Sequence, residues 1–202
     1  MKRLVQLVVF LVALLLRHPA LSFETAYWVW QRNEPPSESD LAELSAQGSR
    51  TLYWHLGTLE NTENAWRWKA RFALPSIQNF EVVPVLRLES RERAPFTPDA
   101  VGSLLKHLAA ATRNRGRLQI DYDCPDRLLH EYAAVLQQIR KIVPELSITA
   151  LPGWIRQPAL TELGGSVTEM FPMLYDFAPD PVVPGAAPVP LISQEKTGAL
   201  LK

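Results

Sequence analysis

Strand-like and helix-like segments alternate along this chain at intervals of about 25–30 residues, and this alternation limits the fold more than any other feature. Residues 25–30 are aromatic and β-branched and read as a strand. Residues 37–47 have helical spacing, with Ser37 or Ser39 as cap and Gly48 as stop. Residues 51–56 read as a second strand, 61–71 as a short helix and 80–88 as a third strand, although Pro84 suits a central strand poorly. Thr97 opens a helix with Pro98 at its first position, running to about residue 113. A fourth strand over 118–123, a helix over 126–143, a fifth strand over 146–151, a short helix over 157–163 and a sixth strand over 169–177 complete the series. Such alternation implies a parallel sheet covered by helices, in a β/α barrel or a doubly wound sheet. No Gly-rich phosphate loop follows the first strand, which disfavours nucleotide binding. An eight-stranded barrel takes about 250 residues. Six candidate strands therefore predict an α/β, TIM-barrel-like (β/α) fold that is incomplete.

The two ends differ from this pattern. Met1-Lys2-Arg3 is followed over 4–16 by a run that is apolar apart from Gln6, and Ala20-Leu21-Ser22 places small residues at the −3 and −1 positions of a cleavage site. Residues 1–22 thus read as a secretory signal peptide, too short for a comfortable span of about 20 apolar residues. The expectation is an exported chain, periplasmic or secreted after cleavage near Ser22, with no stable membrane span. Residues 23–177 form the expected barrel domain. From Ala178 the chain carries five of its 17 prolines in 13 residues and reads as an extended loop, and 193–201 read as the opening of a helix that is cut short.

Composition narrows the class of partner. Apolar residues make up 47% of the chain, enough to build a core, so disorder is disfavoured. Formal charge is balanced, and loss of residues 1–22 would leave 18 basic against 21 acidic residues. With no basic stripe interleaved with aromatics, a nucleic-acid partner is not expected. Cys124 is the only cysteine, so no internal disulfide forms, and it reads as a buried thiol. No metal-ligand spacing and no serine elbow is present, and neither a metal nor a cofactor is expected.

The chemistry concentrates in Leu118-Gln119-Ile120-Asp121-Tyr122-Asp123-Cys124-Pro125. Residues two apart in a strand share a face, so Asp121 and Asp123 point to one side at the carboxyl end of the fourth strand. Ligand chemistry gathers at that end in α/β folds. Asp126 is expected to cap the following helix, which leaves the pair free for another role. Other polar groups recur at strand ends: Arg87 and Glu89 on the third, Tyr175 and Asp176 on the sixth. Trp28, Trp30 and Trp54 lie near the ends of the first two strands, and Trp154 follows the fifth. Carboxylates framed by aromatic rings suit a sugar, whose apolar faces stack on indoles while acids engage hydroxyls. Asp121, Asp123, Tyr175 and Asp176 are the candidate catalytic groups, and Trp30, Trp54, Arg87, Glu89 and Trp154 the candidate binding groups. For each tryptophan the alternative is core packing, and for Arg87–Glu89 a structural ion pair.

Met173-Leu174-Tyr175-Asp176 resembles the sixth-strand Met-x-Tyr-Asp motif of family 18 glycoside hydrolases, the chitinase-like barrels. Ile120-Asp121-Tyr122-Asp123 is similar to the middle of their Asp-x-x-Asp-x-Asp-x-Glu motif. On that alignment Leu118 stands in place of the first Asp and Pro125 in place of the catalytic Glu. The resemblance implies a sugar site, yet proline cannot protonate a leaving group. The phrases Leu118 to Pro125, Leu146-Ser-Ile-Thr-Ala-Leu-Pro-Gly-Trp154 and Tyr175-Asp-Phe177 more closely resemble the bacterial exported family called domain of unknown function 3142. That resemblance implies a glycosidase-like barrel that continues past the end of this chain. Three readings stay open: a barrel that binds polysaccharide or cell-envelope glycan without catalysis, a glycoside hydrolase using Asp123 and Asp121 with Tyr175 and Asp176, or a fragment with no independent function.

Overall fold

The computed structural model describes residues 24–112 and 116–174. The expected signal segment, the proline-rich segment, and Tyr175 and Asp176 lie outside them. Along the chain run β1 (Ala26–Val29), α1 (Glu38–Ala46), β2 (Thr51–Thr62), β3 (Ala65–Arg71), β4 (Glu81–Ser90), α2 (Pro98–Ala111), β5 (Arg117–Asp121), α3 (Leu129–Ile139), β6 (Glu145–Ala150), α4 (Leu160–Ser166) and β7 (Glu169–Pro172). The sheet order is β1-β2-β4-β5-β6-β7, all parallel, with β3 antiparallel to β2. Each parallel strand lies beside its predecessor, without the reversal of order that marks a doubly wound sheet. The six parallel strands curl into a half-barrel, as expected of an incomplete (β/α) barrel.

Strand parity sorts the side chains into two faces. Outward, Leu86, Leu88, Leu118, Ile120, Leu146 and Ile148 pack with the apolar faces of α2 and α3, including Leu104, Leu108, Tyr132 and Leu136. Further round, Leu52 and Trp54 pack against Leu41 and Leu44 of α1. Inward, Tyr53, Val83 and Val85 form a smaller apolar layer with Ala26 and Phe171. Below this layer, at the amino ends of the strands, Arg117 of β5 reaches Glu81 at 2.6 Å, Glu145 at 3.2 Å and Glu169 at 3.4 Å, tying β5 to β4, β6 and β7.

The helix starts follow local sequence. Ser37 and Asp40 form a reciprocal capping box on α1, and Gly48, at φ 82°, follows its end in the left-handed region. Thr97 caps α2 ahead of Pro98. Pro84 is tolerated because pairing of β4 with β5 begins only at Val85, although Pro84 already lies opposite Trp54 of β2.

Three expectations are corrected. Residues 61–71 form no helix. β2 runs on to Thr62 and turns back through Glu63 and Asn64, both at positive φ, into β3. A two-residue turn of this kind matches strand twist. The alternation Trp66-Arg67-Trp68-Lys69 carries the period of a strand, and Trp66 is buried. The backbone of Trp66 is further held by α2, since its N–H donates to Ser103 Oγ and its carbonyl accepts from the same hydroxyl and pairs with His107 Nε2. These side chains cover a strand edge that would otherwise be open. Gly57 is required where β2 passes this hairpin, because a Cβ there would stand 2.4 Å from the Ala70 carbonyl oxygen. Secondly, Asp126 is not the cap of α3. It opens a single 3-10 turn, Asp126–Leu128, and its carboxylate accepts from Gln157 Nε2 at 2.7 Å. Thirdly, α3 ends at Ile139, and β7 is assigned only as far as Pro172.

Candidate functional site

The carboxyl ends of the parallel strands open into a cleft of about 1060 Å³. β1 and its exit contribute Trp28, Trp30 and Gln31 to its wall, and β2 contributes Thr58. β4 contributes Val85, Arg87 and Glu89, and β5 with its exit contributes Asp121 and Asp123. Thr149, Leu151 and Pro152 of the β6 end and Phe171, Pro172 and Met173 of the β7 end close the far side. One side is therefore aromatic and the centre is charged.

Arg87 organises that centre. In the parallel register it lies directly beside Asp121. Its Nη1 donates to Asp121 Oδ2 at 2.7 Å, its Nη2 to Asp123 Oδ2 at 3.1 Å and its Nε to Glu89 Oε1 at 3.4 Å. Burial opposes charge on Arg87, but the neighbouring carboxylates outweigh it and hold the guanidinium above its ordinary range. Asp121 is buried, and its second oxygen accepts from Thr149 Oγ1 at 2.8 Å. The second oxygen of Glu89 accepts from Lys69 Nζ at 2.6 Å, and that bond holds the Glu89 carboxyl below its ordinary value. β5 ends at Asp121, so Asp123 lies in the following loop, brought back to the same face by Arg87.

The aromatic wall is held as firmly. Trp30 lies flat on the His55 ring, 3.9 Å between centroids at 6°, and is itself 38% exposed. His55 is buried, and burial lowers its pKa, with a backbone bond at Gly57 and the charge of Asp121 opposing in part. Trp28 stacks on Tyr53 at 4.8 Å, meets the edge of Phe171 at 5.5 Å, and donates from its indole to Gln119 Oε1 at 2.6 Å. Pre-set rings of this kind lose little freedom when a ligand face covers them.

The structure thus brings together Trp30, Arg87, Glu89, Asp121 and Asp123. It does not bring Trp54 or Trp154 into the cleft. Trp54 is fully buried on the outer face of β2, and Trp154 is fully buried under the β5 exit, where its indole donates to the Cys124 carbonyl at 3.2 Å. Trp154 therefore braces the loop carrying Asp123 from behind. Cys124 is buried, which pushes its thiol up to about 12. His55, Thr149 and Phe171 were not selected from the sequence, and Trp28 was noted there only as an aromatic near a strand end. Their signal was strand parity: each shares the inward face with Arg87 or Asp121. Among the described residues no group of three or more His, Cys, Asp or Glu side chains is placed to hold a metal ion. No helix among them is long and apolar enough to cross a membrane.

The charged centre lies within a stretch that matches a family model. Residues 81–172 match the model of a domain of unknown function, DUF3142. No curated protein and no solved structure matches the chain. The DUF3142 match begins at the first residue of β4 and ends at the last of β7. It therefore includes Arg87, Glu89, Asp121, Asp123 and Thr149, whereas Trp28 and Trp30 precede it.

Proposed function

We propose that this cleft binds a polysaccharide or cell-envelope glycan, in a chain exported to meet that ligand. The observation that carries the reading is Trp30, half-exposed and stacked on a buried His55, set across a cleft from a fixed group of carboxylates. An indole in that position accepts the apolar face of a sugar ring, and carboxylates accept its hydroxyls. Binding is favoured over hydrolysis because both oxygens of Asp121 and both of Glu89 are already engaged by side chains. Neither is free to exchange a proton with a glycosidic oxygen without breaking a bond. Calorimetric titration with wall and exopolysaccharide fragments tests the reading. Saturable binding that weakens in Trp30→Ala is expected, and no binding of any fragment contradicts it.

One observation favours a second reading, hydrolysis through Asp123. Among the described hydrogen bonds that carboxylate uses only Oδ2, and its side chain is 48% exposed. Release of new reducing ends that stops in Asp123→Ala would establish this. Absence of reducing ends in the unmodified chain excludes it for the glycan tested.

A further inference from the structure

The charge class of the ligand follows from the same cleft, and this inference rests on the glycan reading. Arg87 is the only cation in the described wall, and each of its nitrogens is already bonded to a carboxylate. An anionic sugar would find no free cation there. Lys69, outside that wall, is held by Glu89 at 2.6 Å and lies 3.9 Å from Glu60. In the described lining one cation, Arg87, thus faces three carboxylates (Glu89, Asp121 and Asp123), and Lys69 offsets Glu89 from outside it, which leaves an excess of one negative charge. His55 adds no positive charge near neutrality, because burial lowers its pKa.

The excess is not confined to groups that are already satisfied. Asp123 lines the cleft with its Oδ1 unengaged among the described hydrogen bonds. A second, independent feature lies beneath it. Gln119 shares the inward face of β5 with Asp121 and is fully buried. The Trp28 indole fixes its amide by bonding to Oε1, which leaves Nε2 with no partner. Gln119 is not among the residues that line the cleft, and its bond to Trp28 fixes that indole where a ring face can cover it.

We propose that the cleft selects polycationic amino-sugar chains, in which free 2-amino groups are protonated. Asp123 pairs with a sugar ammonium, and Trp28 and Trp30 carry the apolar ring faces. A carboxylate left open beside a neutralised arginine is complementary to a cation and repels a uronate.

The test is calorimetric titration of the 202-residue chain with tetramers of glucosamine, N-acetylglucosamine and galacturonate. The glucosamine tetramer is expected to bind more tightly than the neutral one, by up to about fivefold, the upper end for one exposed charge pair. The galacturonate tetramer is expected not to bind, and the cationic advantage should shrink as salt is raised. Asp123→Asn should abolish the advantage while its melting curve stays unchanged. Equal or tighter binding of the neutral or anionic tetramer overturns the inference and leaves the glycan reading standing. So does a full advantage retained in Asp123→Asn. Binding of wall or exopolysaccharide fragments but of none of the tetramers overturns this inference alone, and binding of neither set overturns both.

Discussion

Arg87 and Asp121 are register partners on adjacent parallel strands, and the Nη1 of one stands 2.7 Å from the Oδ2 of the other. The strand pairing itself therefore sets the ion pair. The guanidinium then reaches past it to Asp123, beyond the end of β5. The same cation serves the sheet and the cleft, so its removal should be felt in both. Arg87→Met leaves the buried Asp121 charge without its counter-ion and is expected to cost about 2 kcal/mol or more, given the usual cost of breaking one side of a buried pair. Arg87→Lys should recover only part of this, since one ammonium cannot replace three differently directed donors. Urea unfolding of the three proteins measures both effects, and equal stability of Arg87→Met and the unmodified chain would refute the role.

Burial makes His55 a neutral support for Trp30. Its folded-state pKa lies below the ordinary 6.5, so the unfolded chain takes up its proton first as pH falls. The stability this supplies is complete above about pH 6.5 and is lost as pH falls toward the folded pKa. In His55→Phe, which keeps a ring under Trp30, the unfolding free energy should fall less between pH 7.5 and 5.5 than in the unmodified chain. Parallel pH profiles would contradict this.

Glu89 adds a separate acid dependence. Its pKa is held down chiefly by the Lys69 hydrogen bond, so its contribution is present above the ordinary value of 4.5 and disappears as pH falls through the folded value. Glu89→Gln should flatten the stability profile below about pH 4.5. An unchanged slope below about pH 4.5 would contradict the assignment.

Cys124 is fully buried and its thiol is pushed up to about 12. Thiolate, not thiol, attacks alkylating agents. Iodoacetamide at pH 8 is expected to label Cys124 only after denaturation. Rapid labelling of the native chain would show that the loop beneath Asp123 opens readily.

The barrel-like alternation of strands and helices was legible because most apolar runs agreed with the caps beside them, as at Ser37 and at Thr97-Pro98. Arg87 and Asp121 were legible because their parity placed them on one face at strand ends, whereas Asp123 reaches that face from the loop after β5, held by Arg87. What failed was the choice among tryptophans. Trp30 and Trp54 both lie near strand ends, but Trp54 has the outward parity of Leu52, and only packing against α1 reveals that this face is closed. The β2–β3 hairpin was missed because its turn, Glu63-Asn64, lacks glycine, and because its support comes from Ser103 and His107 far along the chain. Tyr175 and Asp176 lie outside the described residues.

The difference between the two tryptophans is itself testable. Trp54→Ala removes a fully buried indole from the core and should cost about 3–5 kcal/mol. Trp30→Ala removes a partly exposed ring and should cost far less. Thermal melts of both variants compare them directly, and an equal loss would place Trp30 in the core.

The most direct measurement is titration of the unmodified chain and of Trp30→Ala with the same cell-envelope and exopolysaccharide oligosaccharides, with melting curves recorded alongside. The account predicts saturable binding by the unmodified chain and at least about tenfold weaker binding by the variant, the loss of roughly one stacking contact, with both proteins melting cooperatively. Identical isotherms for the two proteins, or no binding by a cooperatively folded unmodified chain, would contradict it.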